Sequence, residues 1–340
     1  MKIFFSYLLY RLRNSTLRTL IFTALSVAIC LIGISMRNGS SEPQYCRSGL
    51  YMLATALCIT VSIVPLFELS GLKNRRNLDT LFFFPIKREK MALVHFISGF
   101  VQVAAIYTVT WGVSYLWLAL NTNYYALGYM IPYYLLSLLI AFVIYSIYCF
   151  LFMQANTTAD GVLFCVLWIF LPALVALVLN VVWSVPIEEE LMKWGIMYTP
   201  MNHLTVIFQD LIEINNPTRW DGLVENIMER WYMFPVWGAV GLVAVNGYLF
   251  SFLHKGAEQA GEISNSPFGY ALLIPAYGYC LIQIGMGIFI PLLIVIYLGF
   301  MLSGYLIYRR GFKFKVPDIV MTVIGIALPF IAIYFNVRAI

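Results

Sequence analysis

The sequence predicts an all-α protein that crosses a lipid bilayer many times. Hydrophobic residues make up 61% of the 340 positions and charged residues only 11%, whereas a soluble domain carries about 25% charged residues. Several apolar runs also reach the roughly 20 residues that a helix needs to span the hydrocarbon core. These runs are apolar on all sides and do not alternate as the strands of a membrane barrel do, so we predict helices.

Nine apolar segments are long enough to be candidate spans. The seventh and eighth touch, and Gly285, Gly287 and Pro291 at their junction favour either a turn or one long broken helix. The sequence therefore predicts about eight or nine transmembrane helices. The candidates are residues 19–36, 49–67, 91–120, 126–153, 161–185, 233–253, 268–286, 288–307 and 318–336.

Residues 1–18 precede the first candidate span. They are basic and have an aromatic-aliphatic face, which predicts an amphipathic helix lying on the membrane surface. The following apolar run is long for a signal-peptide core and lacks a convincing small-residue cleavage site, so we expect it to be a retained span. Residues 19–340 then form the predicted transmembrane domain.

The distribution of basic residues predicts the orientation of the chain. Lysine and arginine collect on the cytoplasmic side of a membrane. With the N-terminus inside, fifteen of the 21 lysines and arginines fall in inner segments. We therefore expect a multi-pass protein of the plasma or inner membrane with a cytoplasmic N-terminus.

The large outer segment, residues 186–232, is acidic. Apolar residues have helical spacing over Met201–Ile214 and again over Asp221–Tyr232, which predicts a small outer helical cap. The acids are typical of a solvated face. The alternative is an outer ligand region for a cation, whose candidate residues are Glu188, Glu189, Glu190 and His203.

The chain carries no catalytic motif that we can identify. It has no HExxH, GxSxG or GxxxxGK[ST] sequence and no metal-spaced cysteine cluster. The spans hold no ionisable residue near a bilayer midplane, which argues against a transporter with its own ion coupling. We therefore expect no enzyme activity and no cofactor or metal on this chain, and no nucleic-acid partner.

The inner loop at residues 69–90 carries the most information about function. It joins the second and third spans and holds six of the fifteen inner bases. Leu78, Leu81 and Phe82 have the spacing of one helical face, and Pro85 then breaks that helix. A short helix with an apolar face, presented to the cytosol, favours a partner groove or a membrane surface.

This loop resembles that of the type-2 ABC exporter permeases, and most closely a bacterial branch of them. Glu68 closes the second span, and an early glycine, Gly99, lies in the third. Those permeases have Ser-Leu before the proline, where this chain has Phe83-Phe84. The matching run is Leu81-Phe82-Phe83-Phe84-Pro85-Ile86-Lys87-Arg88-Glu89-Lys90-Met91.

Two further stretches resemble the same family. Glu258-Gln259-Ala260-Gly261, after the sixth span, is similar to its Glu-Xaa-Ala-Gly motif, although Lys255 alone remains of the preceding basic stretch. The basic stretch Tyr308–Lys315 precedes the last span. The three motifs cover about a fifth of the chain.

The resemblance implies a function and a set of partners. Such permeases export cargo and pair with a second permease subunit, identical or homologous, among membrane lipids. The spans of this chain are rich in Phe, Tyr, Leu and Ile, which suits an apolar or amphipathic cargo. ATP and Mg²⁺ bind to separate ABC ATPase subunits. The inner loop would dock on the ATPase through Arg75, Arg76, Leu78, Leu81, Phe82, Phe83, Pro85, Lys87 and Arg88.

Two functions of other classes stay open at this point. A membrane enzyme acting on lipids would use the outer acidic region as its site and would need no ATPase. A membrane sensor or scaffold would bind a ligand with the outer cap. Only the exporter requires ATP hydrolysis coupled to transport.

Overall fold

A computed structural model of the chain describes residues 2–35, 45–82, 86–121, 127–183, 199–213, 232–285, 290–312 and 314–338. Within these ranges the regular structure is α-helical with short 3₁₀ turns, and no β-strand occurs there. Seven of the described helices are long and apolar enough to cross a membrane. The predicted all-α, polytopic membrane fold is therefore confirmed.

The described α-helices are numbered α1 to α11 in chain order. Each of the nine predicted spans overlaps one of them, and two spans correspond to the shorter apolar stretches Tyr270–Ile284 and Val316–Ala327. The helices are α1 (Lys2–Ser35), α2 (Tyr45–Ser70), α3 (Arg75–Phe82), α4 (Arg88–Asn121), α5 (Met130–Gln154), α6 (Thr158–Trp183), α7 (Pro200–Glu213), α8 (Met233–His254), α9 (Tyr270–Ile284), α10 (Ile290–Arg309) and α11 (Val316–Arg338).

Helix α1 contains both the predicted surface helix and the first predicted span. It runs from Lys2 to Ser35 with no break at residue 18. The sequence of this region contains no proline or glycine until Gly33, so nothing in it interrupts the helical hydrogen bonds. Whether residues 1–18 lie along the membrane surface stays a prediction.

The chain divides into two compact units. The first comprises residues 1–72, 76–150 and 196–255. In it α1 packs on α2 and α4, α7 packs on α2, and α8 packs on α4. Tyrosines occupy its core, and two of them donate hydrogen bonds to main-chain carbonyls of α4: Tyr145 to Phe96 O and Tyr248 to Ala92 O, both at 3.1 Å.

The second unit comprises residues 73–75, 151–195 and 256–340. Its helix α9 packs against α6, α10 and α11. Phe164, Tyr270 and Ile274 belong to the buried cluster that α9 forms with its neighbours. This unit therefore has a hydrophobic core of its own.

Helices α9 and α10 form an antiparallel pair. Gly278 of α9 faces Tyr297 and Met301 of α10, and Gly304 of α10 faces Ile274. Residues early in α9 contact residues late in α10, and residues late in α9 contact residues early in α10. The chain therefore reverses direction between the two helices. Of the two arrangements that the junction allowed, the turn is the correct one. Residues 286–289 lie outside the described part of the chain.

The outer region is described in part. Helix α7 corresponds to the helix predicted over Met201–Ile214. The second predicted helix, Asp221–Tyr232, lies outside the described residues except for Tyr232.

Candidate functional site

The short helix predicted in the inner loop is present. A 3₁₀ turn over Gly71–Lys73 follows α2 directly, and α3 begins two residues later. Asn74 stands immediately before α3, where asparagine is a favoured residue type. Pro85 disfavours helical backbone in the residue before it, and the next described helix, α4, begins at Arg88.

The predicted coupling residues have different environments. Leu78 is buried at 5% exposure, whereas Arg76, Lys87 and Arg88 are exposed. Leu81 and Phe82 belong to α3, but their side chains lie outside the described residues, as do Phe83 and Pro85 altogether. The structure therefore presents basic side chains from both ends of the loop and buries one leucine of α3.

Arg75 is hydrogen-bonded within the second unit. Its Nε donates to Ala260 O and its Nη2 donates to Glu258 O, both at 2.8 Å. The Glu262 carboxylate lies 3.7 Å from Nη2, and both side chains of this ion pair are 60% exposed. The two carbonyl contacts fix the guanidinium in one orientation, and the exposed ion pair adds little to stability.

Lys73 makes a second contact of the same kind. Its side chain is buried, and its Nζ donates to Ala155 O at 2.5 Å. The ammonium group also lies 4.9 Å from the centroid of the Phe152 ring. Ala155 follows the last residue of α5, so Lys73 binds at the carbonyl end of that helix, where a cation is favourable.

The segments that receive these two cations are joined to each other. Gly261 N–H donates to Asn156 O at 3.0 Å, and Asn156 N–H donates to Ser264 Oγ at 2.8 Å. Asp160 accepts hydrogen bonds from Ser264 Oγ at 2.8 Å and from Tyr270 at 2.7 Å. A surface groove of about 540 Å³ lies beside them, lined by Lys73, Asn74, Arg75, Thr158, Ala260 and Gly261.

A buried ionic cluster in the first unit was not predicted from the sequence. Arg11 and Arg18 of α1 each place an Nη2 donor 2.6 Å from the carboxylate of Glu68, at the end of α2. The Glu68 side chain is 1% exposed. Gln102 of α4 accepts from Arg18 at 2.7 Å and donates to Glu68 at 3.3 Å.

His95 completes this cluster as a neutral ring. Arg11 Nη2 lies 3.1 Å from His95 Nδ1. A guanidinium can only donate, so Nδ1 must accept and the ring proton resides on Nε2. That proton then points at the Tyr7 hydroxyl, 3.3 Å away. The arrangement holds α1, α2 and α4 together through charge and directed hydrogen bonds.

A signal for this cluster is visible in the sequence. Arg11 and Arg18 are seven residues apart, as are His95 and Gln102. Two helical turns separate the members of each pair, so both lie on one face of their helix. Sequence reasoning assigned the arginines to membrane topology alone because it could not establish which helices are neighbours.

The candidate outer ligand residues are not brought together among the described residues. Glu188, Glu189 and Glu190 lie outside them. His203 is on α7, buried at 3% exposure, with its ring centroid 4.7 Å from that of Phe234. The packing of His203 against an aromatic ring does not test the ligand prediction, which stays open.

Comparisons with known proteins do not assign the chain to a family. No protein-family model matches the sequence, and no curated protein matches it.

Proposed function

We propose that this chain is the transmembrane permease subunit of an ABC exporter that moves an apolar or amphipathic cargo. One observation carries the proposal. A short helix, α3, lies between the second and third long apolar helices, in a loop whose exposed bases include Arg76, Lys87 and Arg88. Such a helix offers a docking element for a partner on the membrane surface.

The energy for transport comes from the partner in this proposal. The chain has no GxxxxGK[ST] phosphate loop, so ATP and Mg²⁺ bind to a separate ABC ATPase subunit. Closure of that subunit on ATP moves α3. Only four residues separate α3 from α2, and five separate it from α4. Because these connections are short, a displacement of α3 also displaces the ends of both long helices.

The basic residues supply the charge part of the contact. Arg76, Lys87 and Arg88 are exposed, and exposed charges at an interface act mainly on association rate and specificity. An acidic surface on the ATPase complements them. The membrane side of the loop also meets lipid headgroups, which attract lysine and arginine in the same way.

The first experiment asks whether an ATPase co-purifies with this chain through the loop. The tagged protein is purified from its native membrane in mild detergent, and bound ATPases are revealed with a photoreactive ATP analogue. We expect a labelled ABC ATPase with the wild type. We expect about tenfold less with the double variant Arg76→Glu, Lys87→Glu, because two attractive contacts become repulsive.

Lys315→Glu is the matched control. Lys315 is exposed and belongs to another predicted inner segment, so this variant carries a reversed charge without touching the loop. It should retain the wild-type amount of ATPase. Absence of any labelled ATPase from the wild type, or equal amounts in all three proteins, would contradict the proposal. Membrane insertion of each variant is checked by its resistance to alkaline extraction from the membrane, and its folded state by elution as a single species.

A further inference from the structure

The backbone around Glu258-Gln259-Ala260-Gly261 binds the side chain of Arg75. Glu258 and Gln259 are in a 3₁₀ turn, and the carbonyls of Glu258 and Ala260 both accept from Arg75. These carbonyls lie at the end of that turn, where backbone acceptors lack intrahelical donors. A guanidinium, with its fork of donors, suits two such carbonyls at once.

The glycine of this segment has a specific conformational role. Gly261 has φ +85°, in the left-handed region, and its N–H reaches Asn156 O in the turn after α5. The preceding residue, Ala260, is 2% exposed. The chain turns at Ala260–Gly261. As a result, Ala260 O accepts from Arg75 while Gly261 N–H donates to Asn156 O in the α5–α6 turn.

Lys73 reaches the same turn from the loop. Its Nζ binds Ala155 O, the residue before Asn156. Two cations two positions apart in the inner loop therefore hold the two segments that Gly261 and Asn156 connect. Four hydrogen bonds thus link these segments: Lys73 to Ala155, Gly261 to Asn156, and Arg75 to both Glu258 and Ala260.

We propose that Arg75 and Lys73 are positioning residues that pass movement of the inner loop to the α5–α6 turn and to residues 258–261, and that they do not form the ATPase contact. This inference rests on the proposed function. It reassigns Arg75, which the family resemblance placed in the docking surface, because the Arg75 donors bond the carbonyls of Ala260 and Glu258. Docking is left to Arg76, Lys87 and Arg88. The Glu-Xaa-Ala-Gly stretch becomes the element that receives the motion.

The adjacent arginines allow a matched experiment. Arg75→Gln and Arg76→Gln make the same chemical change one residue apart, and each is compared with the wild type by hydrogen exchange without any ATPase. The amides to follow are those of Gln259, Gly261 and Glu262, whose donors bond to Gly256 O, Asn156 O and Gln259 O. We expect Arg75→Gln to speed their exchange on the order of fivefold, because it removes the guanidinium that orders two of the local carbonyls. Arg76→Gln should leave it unchanged.

Co-purification with the ATPase gives the second readout. Arg75→Gln should retain the wild-type amount of ATPase. In the wild-type complex we expect ATP to slow exchange at residues 258–262, and in Arg75→Gln this response should be lost. Arg76→Gln should retain less ATPase than the wild type, by a smaller factor than the double charge reversal. The inference is overturned if Arg75→Gln leaves exchange at 259–262 unchanged, if it releases the ATPase as Arg76→Gln does, or if it preserves the response to ATP.

Failure of the proposed function is distinguishable from failure of this inference. If the wild type binds no ATPase, the exporter proposal and the transmitting role fall together, while the exchange result in the isolated protein still reports the Arg75 contact. If the wild type binds ATPase and Arg75→Gln behaves as Arg76→Gln, only the positioning role is wrong. Arg75→Lys adds a graded variant, since one ammonium cannot reproduce the fork that reaches both carbonyls.

Discussion

Glu68 is a carboxylate withdrawn from solvent and compensated by two guanidinium groups. Such a group is tolerated because Arg11 and Arg18 approach to 2.6 Å and Gln102 donates a further hydrogen bond. Removing one partner of a buried ion pair costs more than the pair contributes, because a charge is left without compensation. Glu68 is the common acceptor, so its loss strands both arginines.

Glu68→Gln should therefore destabilise the protein. We expect a decrease of about 3 kcal/mol in the free energy of unfolding, since two partly buried guanidinium groups lose their counter-charge. Thermal unfolding in detergent, followed by loss of the monodisperse species, measures this effect. Glu89→Gln is the control, because Glu89 is exposed in the first turn of α4. Equal melting temperatures for the two variants would contradict the ionic role of Glu68.

The left-handed backbone of Gly261 predicts a stability cost for Gly261→Ala that depends on backbone conformation alone. A Cβ at this position meets no atom within 4 Å, so any cost of Gly261→Ala comes from the left-handed φ of +85°. We expect a loss of about 1–2 kcal/mol, visible as a lower melting temperature. Gly256→Ala, where the nearest atom is 4.0 Å away and φ is not left-handed, should have no such cost. A neutral Gly261→Ala would contradict the strain argument.

Residue-scale features were the hardest to derive from the sequence. Arg11 and Glu68 are 57 positions apart and Arg75 and Ala260 are 185 apart, so their pairing depends on which helices and loops are neighbours. No local pattern contains that information. The positive-inside rule alone explains why arginines occur in these segments. The sequence therefore showed no sign that Arg11 and Arg75 have specific hydrogen-bond partners.

At the scale of elements, glycine sets how closely α9 and α10 approach. A Cβ built on Gly278 would lie 2.7 Å from Met301 Sδ and 2.9 Å from a ring carbon of Tyr297. Small residues permit such close helix contacts in membranes. Gly299, on α10, has no neighbour within 4 Å of the same point. Gly278 thus lies where α9 and α10 pack closely, and Gly299 lies at an open position of the same helix pair.

Gly278→Val should loosen this pair, whereas Gly299→Val should not. The added methyl groups at Gly278 overlap the Tyr297 ring, and overpacking typically costs about 1–3 kcal/mol. Thermal unfolding of both variants in the same detergent tests this. A lower melting temperature is expected for Gly278→Val alone. If the two variants melt together, the close packing of α9 on α10 is not as described.

Elements were predicted well where one physical requirement determined them. A span must be long and apolar, so run length located the nine apolar segments, seven of which are described as helices long enough to cross a membrane. Gly285 marks the end of α9, whereas Pro85 lies outside the described residues. Helix α7 followed from its apolar spacing. The continuity of α1 through residue 18 was missed, although no helix-breaking residue lies there. The change from a basic amphipathic stretch to an apolar run suggested a boundary between two elements.

At the scale of the whole molecule, a permease that binds a cytoplasmic ATPase needs three segments on one side of the membrane. These are the inner loop, residues 256–262 and residues 310–315. Their bases and the predicted span order predict a cytoplasmic location for all three. Substituted cysteines test this, because the described native cysteines are buried or half-buried and Cys46 can be replaced by serine. A membrane-impermeant maleimide is the probe.

Glu258→Cys and Lys315→Cys should react only after the membrane is permeabilised. Glu189→Cys, in the predicted outer segment, should react in intact cells. The physical reason is the positive-inside distribution of fifteen bases against six. Labelling of Glu258→Cys in intact cells would reverse the orientation and remove the inner loop from the reach of a cytoplasmic ATPase.

Site-specific photocrosslinking in the native membrane identifies what the inner loop contacts. A photoreactive amino acid is placed at position 76 or 87 of the inner loop, and at position 315 as the control, since all three positions are exposed. If this chain is an ABC exporter permease, positions 76 and 87 crosslink to a protein with a GxxxxGK[ST] phosphate loop and position 315 does not. Crosslinks from the loop to lipid alone, or the same products from all three positions, would contradict it.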